Sequence, residues 1–335
     1  LGTLFKENID KKENKNFPKW DLILEDTLFE SKSYNSWFTI ENLKLSLKNW
    51  SNSLQENIIS DWLSKYNIED KSSKRIAIIM AGNIPIVGFH DLLCSLLLNF
   101  DCLVKLSSDD KLLIPFIVRF LESRNKKFKN KVIFESEKLK NFDGVIATGN
   151  NNSHRYFDYY FSKYPNLLRK TRHSIAVLDG NENDNNLAGL SNDIFNYFGL
   201  GCRSVSKVFL PRGYDLDILF NAFFSYKEII NHNKYVNNFD YNKAVYLMSK
   251  EKFIENGFLI LKEETKLGSP IGCLFYEFYD DKKDILKLIQ NNSDSIQCVA
   301  SNLDLKTNIQ FGQTQCPTIG DYADNNDTIK FLLKI

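Results

Sequence analysis

A buried strand, an apolar helix and a second strand follow one another between Arg75 and Leu106, and that succession leaves few folds open. Ile76 to Met80 is a continuous apolar run, Ala81 to Pro85 a tight turn, Val87 to Leu98 an apolar helical stretch, and Asp101 to Leu106 a second strand. Two strands joined by a single helix lie parallel, with a right-handed crossover. Further strands are predicted at Val132 to Glu135, Gly144 to Thr148, Ile175 to Leu178 and Val205 to Leu210, with helical stretches between several of them. The pattern is that of a doubly wound α/β sheet, whose ligands bind beyond the carboxyl ends of the strands. Three polar turns fall at those ends: Gly82-Asn83-Ile84-Pro85, Lys105-Leu106-Ser107-Ser108 and Thr148-Gly149-Asn150-Asn151. The last offers backbone amides to a phosphate at a helix start. Gly and Asn are also ordinary turn residues after a strand. The common dinucleotide fingerprint GxGxxG is absent.

Composition narrows the class further. A chain of 335 residues predicts two domains, or one large α/β unit with an elaboration, and 43% apolar residues suffice for a real core. A net charge of +1 argues against nucleic acid or an anionic membrane as the main partner. The six cysteines show no CxxC pair, which predicts free thiols in a reducing compartment and neither a disulfide framework nor a metal site. The apolar run Leu92 to Leu98 is too short to cross a bilayer, and no signal-peptide pattern is visible. A cytoplasmic protein without an integral membrane segment is expected. The first seventy residues are polar, with Trp20, Trp37, Phe38 and Trp50 as isolated anchors. Thr39 is placed to cap a helix through Leu43, Leu45, Leu47 and Trp50, Ile58 to Tyr66 forms a second, and the charged stretch Glu69 to Lys74 reads as a linker.

The segment Phe198-Gly199-Leu200-Gly201-Cys202-Arg203-Ser204-Val205-Ser206-Lys207 sets one cysteine after two glycines and beside an arginine. Glycine lets the backbone turn tightly, so Cys202 is presented rather than packed. A neighbouring guanidinium favours the thiolate, the form that attacks. Helical spacing of Ile194, Phe195 and Phe198 before it and a strand after it put Cys202 in a helix-to-strand connection. On this window alone two readings stand, a nucleophile and a small buried apolar residue, the commoner fate of a cysteine. Cys316, in Phe311-Gly312-Gln313-Thr314-Gln315-Cys316-Pro317, is the rival nucleophile. His232 in an Asn-rich stretch is a candidate for proton transfer or substrate contact, or an ordinary surface residue. His90 is expected to satisfy a backbone group, and Arg169, Lys170 and Arg172 form a basic cluster able to meet phosphates.

Taken in order, these turns resemble a known set of motifs. Asn83-Ile84-Pro85, Lys105-Leu106-Ser107, Thr148-Gly149, Val177-Leu178-Asp179-Gly180 and Gly201-Cys202 follow the motif order of the aldehyde dehydrogenase superfamily. The runs MAGNIPIVGFHD, VIATGNNNSHRYF, FGLGCRSVSKV, NKYVNNFDYNKA and FGQTQCP look like its acyl-CoA reductase branch, the LuxC-type fatty-acid reductases. The resemblance covers Arg75 to the C-terminus. It implies an aldehyde dehydrogenase-like α/β fold: a doubly wound parallel-sheet cofactor domain, residues 71–180 with a return of 321–335, and a second α/β catalytic domain, 181–320. Residues 1–70 remain a helical segment.

Carried over residue by residue, the resemblance makes Cys202 the nucleophile, Asn83 the oxyanion donor, and Lys105, Ser107, Thr148 and Gly149 the contacts of NADPH or NADH. Glu263 or Glu264, ahead of Gly268-Ser269-Pro270, echoes a ribose-binding glutamate. Two departures are visible. Where hydrolytic members carry a general-base glutamate this chain offers Asp179, one residue out of place and readable as a turn residue. The interval from Gly180 to Cys202 is also short, leaving less room for a helix. Lack of the base suits an enzyme that must not hydrolyse its acyl-cysteine. The expected substrate is therefore an acyl-CoA or acyl-carrier thioester, reduced to an aldehyde. A homo-oligomer is expected too, pairing through a final strand at Phe331 to Ile335, with an acyl-donating protein as a further partner. The alternatives are a cysteine acyltransferase or thioesterase, and a degenerate binding protein of the same fold.

Overall fold

The structure is a computed structural model that describes residues 1–12, 15–68, 74–149, 151–305 and 308–335. The stretch from Glu69 to Ser73, most of the expected linker, and Asn150 of the Thr-Gly turn lie outside the described residues. The chain divides into two compact units, Leu1–Thr171 with Thr318–Ile335, and Arg172–Pro317.

Four helices open the first unit: α1 (Gly2–Asp10), α2 (Pro18–Tyr34), α3 (Ile40–Ser53) and α4 (Glu56–Leu63). Pro18 starts α2 at a first-turn position, where its missing N–H costs nothing. Thr39 caps α3 as its sequence predicts, its Oγ1 accepting from the Asn42 N–H at 3.3 Å. These helices are a layer of the first unit rather than an appended segment. The Trp20 ring meets Phe116 and Phe120 edge-on at 5.9 and 5.4 Å, and Trp62 Nε1 donates to the Tyr322 hydroxyl at 3.0 Å.

The sheet beneath them comprises β1 (Arg75–Ile79), β2 (Asp101–Lys105), β3 (Val132–Phe134), β4 (Gly144–Thr148) and β5 (Asn166–Arg169). All run parallel in the order β3-β2-β1-β4-β5. This is the doubly wound order, with its reversal between β1 and β4. Ile76, Ala77 and Ile78 are buried on both faces, as a central parallel strand requires. The crossovers are α5 (Phe89–Leu97), α6 (Leu113–Arg124) and α7 (Asn151–Phe161).

Two charged groups fix the ends of these strands. Arg169 is 3% exposed and forms a bidentate pair with Asp91 of α5, with Nη2 to Oδ1 at 2.8 Å, and it donates to Thr328 Oγ1 at 3.0 Å and Thr148 Oγ1 at 3.4 Å. It is therefore a buried strut and not part of a phosphate-binding cluster. Asp110 Oδ2 accepts from the N–H of Ile86, whose φ of +60° is a strained conformation for a β-branched residue. On the other side of that turn Ser46 Oγ donates to the Pro85 carbonyl at 3.0 Å.

The second unit holds β6 (His173–Val177), β7 (Val205–Pro211), β8 (Ile254–Glu255), β9 (Ile260–Glu263), β10 (Cys273–Tyr279), β11 (Ile296–Ala300) and β12 (Asn308–Ile309). Their order is β12-β11-β6-β7-β10-β9-β8, parallel except for β8 against β9. Because β6 pairs with β7 and β11, the second unit starts at Arg172, ahead of the boundary expected after Gly180. Its helices are α8 (Asp184–Phe195), α9 (Leu216–Phe223), α10 (Asn233–Met248) and α11 (Lys282–Asn291). Leu190 and Ile194 of α8 and Phe223 of α9 share a core with Val208 and Leu210, whereas Ile285 of α11 packs with Ile175, Val177 and Phe209. The interval before Cys202 thus accommodates a helix of 12 residues, started by a reciprocal Asn183–Asn186 capping box.

The chain returns to the first unit at Thr318 and ends in α12 (Thr328–Leu333). The expected terminal strand is therefore a helix. Asp327 caps it by accepting from the Lys330 N–H at 2.9 Å, and Ile329 and Leu332 bury at helical spacing. Pairing of subunits through a final strand loses its element.

Asp91→Ala is expected to destabilise the protein by about 3 kcal/mol or more in chemical denaturation, because it strands a buried guanidinium. Adding Arg169→Met should recover most of that loss; no recovery would mean the pair is not the source of it. Burial lifts the Asp110 carboxyl from 3.8 to about 6. The folded state therefore holds a proton that the unfolded chain releases. The resulting stabilisation, on the order of 3 kcal/mol, is complete below the unfolded value and lost as pH rises through 6. The stability difference between wild type and Asp110→Asn should accordingly shift against wild type between pH 4 and 7, and a flat difference would refute the assignment.

Candidate active site

At the carboxyl ends of β1, β2 and β4 the first unit brings its sequence-predicted groups to one edge. The Met80 N–H donates to the Lys105 carbonyl at 3.0 Å, carrying the β1–β2 ladder one residue further. A Cβ on Gly82 would lie 2.6 Å from both Cβ and Oγ of Ser107, so only glycine lets the Asn83 turn rest on the Lys105-Leu106-Ser107 end. Asn83 is exposed at the tip. Lys105 Nζ donates to the Glu137 carbonyl at 3.2 Å, and Ser107 Oγ accepts from the Asp109 N–H at 3.2 Å. Thr148 is half-buried and accepts from Arg169, as described above. A Cβ on Gly149 would meet Ser153 Cβ and Phe157 Cε2 at 2.9 Å, so β4 turns into α7 with no room for a side chain. The result is an edge of backbone amides and small polar groups at the strand-order reversal, which suits a dinucleotide.

In the second unit Cys202 sits in a turn closed by the Ser204 N–H donating to the Gly201 carbonyl at 3.0 Å. Before it, Tyr197, Phe198 and Gly199 take φ values of 55°, 57° and 76° in succession. Left-handed backbone at a non-glycine residue costs of the order of 1–3 kcal/mol, and such strain is held only where the surroundings enforce it. Here Phe198 packs its ring on that of His232, with centroids 4.4 Å apart. His232 is half-buried at the start of α10, where its Nδ1 accepts from the Tyr235 N–H at 3.4 Å. The structure thus brings His232 to the Cys202 loop through Phe198. Ser174 Oγ donates to the Cys202 carbonyl at 2.8 Å.

Exposure separates the cysteines. Burial lifts the thiols of Cys102 and Cys273 to about 12 and that of Cys298 to about 11, and Cys94 is pushed well above its ordinary value by the same cause. Cys202 and Cys316 are exposed, which removes the buried-residue reading of Cys202. Cys316 follows Gln315, whose Nε2 donates to Ser204 Oγ at 2.9 Å, so the late loop runs beside the Cys202 turn.

Two candidate carboxylates do not join them. Asp179 follows the carboxyl end of β6, while Cys202 precedes the amino end of β7, and the register Ser174↔Val205 and Val177↔Phe209 separates them along the sheet. Its carboxylate accepts from the Asn181 N–H at 3.0 Å, and Glu182 accepts from the amides of Asp179 and Gly180 at 2.6 and 3.1 Å. Asp179 is therefore a turn residue, as its place before glycine suggested. Glu264 accepts from Lys262 at 2.8 Å and from the Thr265 N–H at 2.9 Å. The Lys262 ammonium holds its carboxyl down to about 2. Glu263 is exposed at the end of β9.

The loop after Glu264 folds back along the sheet. Lys207 Nζ donates to the Thr265 carbonyl at 3.0 Å, Ser206 Oγ to the Leu267 carbonyl at 2.9 Å, and Gly268 lies against the His173 ring, where a Cβ would collide. Sequence reading passed over Lys207, although a lysine in the apolar run Val205 to Leu210 was its signal. It is completely buried, pairs with Glu277 at 2.6 Å, and burial pushes its pKa down while Glu277 works against that. A shallow recess adjoins the Cys202 loop, lined by Ile194, Phe198, Gly199, Tyr235, Pro270 and Cys273 among others.

Among the described residues no group of side chains could hold a metal ion and no helix is long and apolar enough to cross a membrane. Of the other basic groups, Arg172 Nη1 donates to the Ser293 and Ile296 carbonyls at 3.0 and 3.2 Å, and His90 Nε2 meets the Ile319 carbonyl at 2.8 Å, a backbone group as expected.

Three solved structures show what architecture this is. Aldehyde dehydrogenase 21 from Physcomitrella patens, solved with succinate, superposes with a TM-score of 0.68 over 100% of this chain and 84% of its own, at 10% identity. The Mycobacterium tuberculosis aldehyde dehydrogenase complexed with NAD+ gives 0.62 over 98% and 83%, at 12% identity. A variant of Pseudomonas syringae aldehyde dehydrogenase C with NAD+ and octanal gives 0.60 over 91% and 72%, at 9% identity. No curated protein sequence matches the chain. The family model described as acyl-CoA reductase (LuxC) matches residues 2–218. The chain has the aldehyde dehydrogenase fold and belongs to the LuxC acyl-CoA reductase family.

Proposed function

We propose that the protein reduces a fatty acyl thioester to the aldehyde through an acyl-cysteine on Cys202. The observation that carries this reading is the presentation of Cys202: an exposed thiol on a strained glycine-flanked turn, in a chain whose other cysteines, Cys316 apart, are buried. The Cys202 thiolate attacks the thioester carbonyl. The carbon–sulfur bond to CoA, or to a carrier, breaks, and the leaving thiolate takes up a proton. Exchange of one thioester for another is nearly even in free energy, which suits a thiolate better than a hydroxyl. Charge develops on the carbonyl oxygen, and the Asn83 amide with the Cys202 backbone N–H are the donors assigned to it.

A bound NADPH or NADH, held by Lys105, Ser107, Thr148 and Gly149, would supply the hydride to the acyl carbon. The Cys202–carbon bond then breaks, aldehyde departs and the thiolate is restored. Hydrolysis must be avoided meanwhile. Asp179 stands away from Cys202 along the sheet and Glu264 is tied to Lys262, which supports a site without a carboxylate base. Arg203, next to Cys202 in the chain, is assigned to favour the thiolate, and His232, whose ring packs on that of Phe198, is assigned to give the leaving thiolate its proton. The wider setting of this reading is a cytoplasmic enzyme fed by CoA or by an acyl-donating protein.

Wild type should oxidise NADPH or NADH when acyl-CoA thioesters of graded length are added, and Cys202→Ala should abolish this while Cys316→Ala retains it. CoA release without cofactor oxidation would turn the assignment to an acyltransferase, and silence with every thioester would defeat it. Asn83→Ala should lower kcat by about 100-fold with little change in cofactor binding, as expected for a donor used only in the transition state. An unchanged kcat would remove Asn83 from the oxyanion site.

A further inference from the structure

Helix α8 and the late loop approach more closely than side chains allow. A Cβ on Gly189 would lie 2.7 Å from the Phe311 carbonyl carbon and 2.9 Å from the Gly312 nitrogen, and a Cβ on Gly312, at φ +84°, would lie 3.0 Å from Gly189 Cα. Asp193 follows Gly189 by one helical turn and so shares its face. Its Oδ2 accepts from the Gly312 N–H at 2.7 Å, and its Oδ1 from the Thr314 N–H at 3.0 Å and Thr314 Oγ1 at 2.8 Å. Asp193 is 1% exposed and Thr314 is completely buried, so these bonds are made out of water, where they are strongest. The next residue, Gln315, donates to Ser204 Oγ at 2.9 Å. Ser204 is the residue that closes the Cys202 turn.

We propose that Asp193 is a positioning residue for the nucleophile: it clamps the late loop to α8, and through Gln315 and Ser204 that loop sets the turn presenting Cys202. The proposal rests on the reading of Cys202 as nucleophile. Asp193 is no catalytic group itself; its carboxylate faces backbone amides and a hydroxyl, and it acts only through what it holds. The acceptor count explains why a carboxylate is used. Three donors converge on it, and only the ionised form accepts on both oxygens. Burial raises its pKa to about 6, so the full clamp forms above that pH and one oxygen becomes a donor below it. Tyr226, from the segment Phe224–Asn231, and Cys298 of β11 are the titratable groups that feel its charge, and burial lifts both, so neither changes charge near pH 6.

The test is a double-mutant cycle of Asp193→Asn and Gln315→Ala in the full chain, read as kcat for thioester reduction. Each single variant should lower kcat by about 10-fold or more. The double variant should fall no further than the worse single one, because both act through Ser204. The acidic limb of wild-type kcat near pH 6 should disappear in Asp193→Asn. The same cycle read as the iodoacetamide labelling rate of Cys202 needs no substrate and separates this proposal from the assignment of the reaction. Gln315→Ala leaves the clamp untouched, so it tests the relay even if Asp193→Asn does not fold. Additive losses, or folded variants whose kcat and labelling rates equal those of wild type, would overturn the proposal.

Discussion

The whole carboxyl edge of the first unit depends on a strand that has water on neither face. Ile76, Ala77 and Ile78 have no exposed surface, and β1 bonds to β2 on one side and β4 on the other, both parallel. Parallel neighbours cannot be joined by a tight hairpin, so the chain must leave β1 and β4 over the top of the sheet and return by helices. It leaves toward opposite sides, because the strand order reverses there. Asn83, Lys105, Ser107, Thr148 and Gly149 occupy one edge as a consequence of that routing, before any ligand is considered. The buried Arg169–Asp91 pair then locks the end of β5 to α5 and touches Thr148, so the edge is stiffened from below.

The cysteine proposed as nucleophile obeys a different constraint. Cys202 is not at a carboxyl end but ahead of β7, on a turn that the backbone enters through successive left-handed residues. A single residue type then meets opposite fates in one protein. Buried cysteines lose the solvation that a thiolate needs and are held as thiols, whereas the strained turn keeps Cys202 in water with its carbonyl fixed by Ser174. The left-handed residues Tyr197 and Phe198 are held by packing of the Phe198 ring on His232 and by the Leu200 N–H donating to the Tyr197 carbonyl at 3.0 Å.

The strand–helix–strand run from Arg75, the Thr39 cap and the helix-to-strand setting of Cys202 were legible in the sequence because each is local. The final helix was misread as a strand because Phe331 to Ile335 is apolar and short; the deciding signal was the Asp327 cap just before it, which lies outside that window. Asp179 before Gly180 is readable as a turn residue from the sequence, and the parallel register adds that it and Cys202 lie at different ends of the sheet. Arg169 looked like part of an exposed basic cluster because its partner, Asp91, is remote in sequence. Asp193 and Gln315 carried no local signal at all, since their partners come from a segment far along the chain.

One device recurs at both candidate loops. Gly82 lies so close to Ser107 and to the Asp110 nitrogen that no Cβ fits, and Asp110 then accepts from the amide of Ile86. Gly189 lies equally close to Phe311 and Gly312, and Asp193 accepts from the amides of Gly312 and Thr314. In each case an irregular loop is buried without a strand to pair with, which would leave its N–H groups unsatisfied. Glycine brings the backbones into reach and a carboxylate supplies the missing acceptors. Burial raises both carboxyls to about 6, so each loop is held by a group whose ionisation costs stability that the protein could have kept with a neutral side chain. At Asp193 both oxygens accept, which a neutral amide could not match, whereas Asp110 accepts on Oδ2; the two loops so held are those that carry Asn83 and flank Cys202.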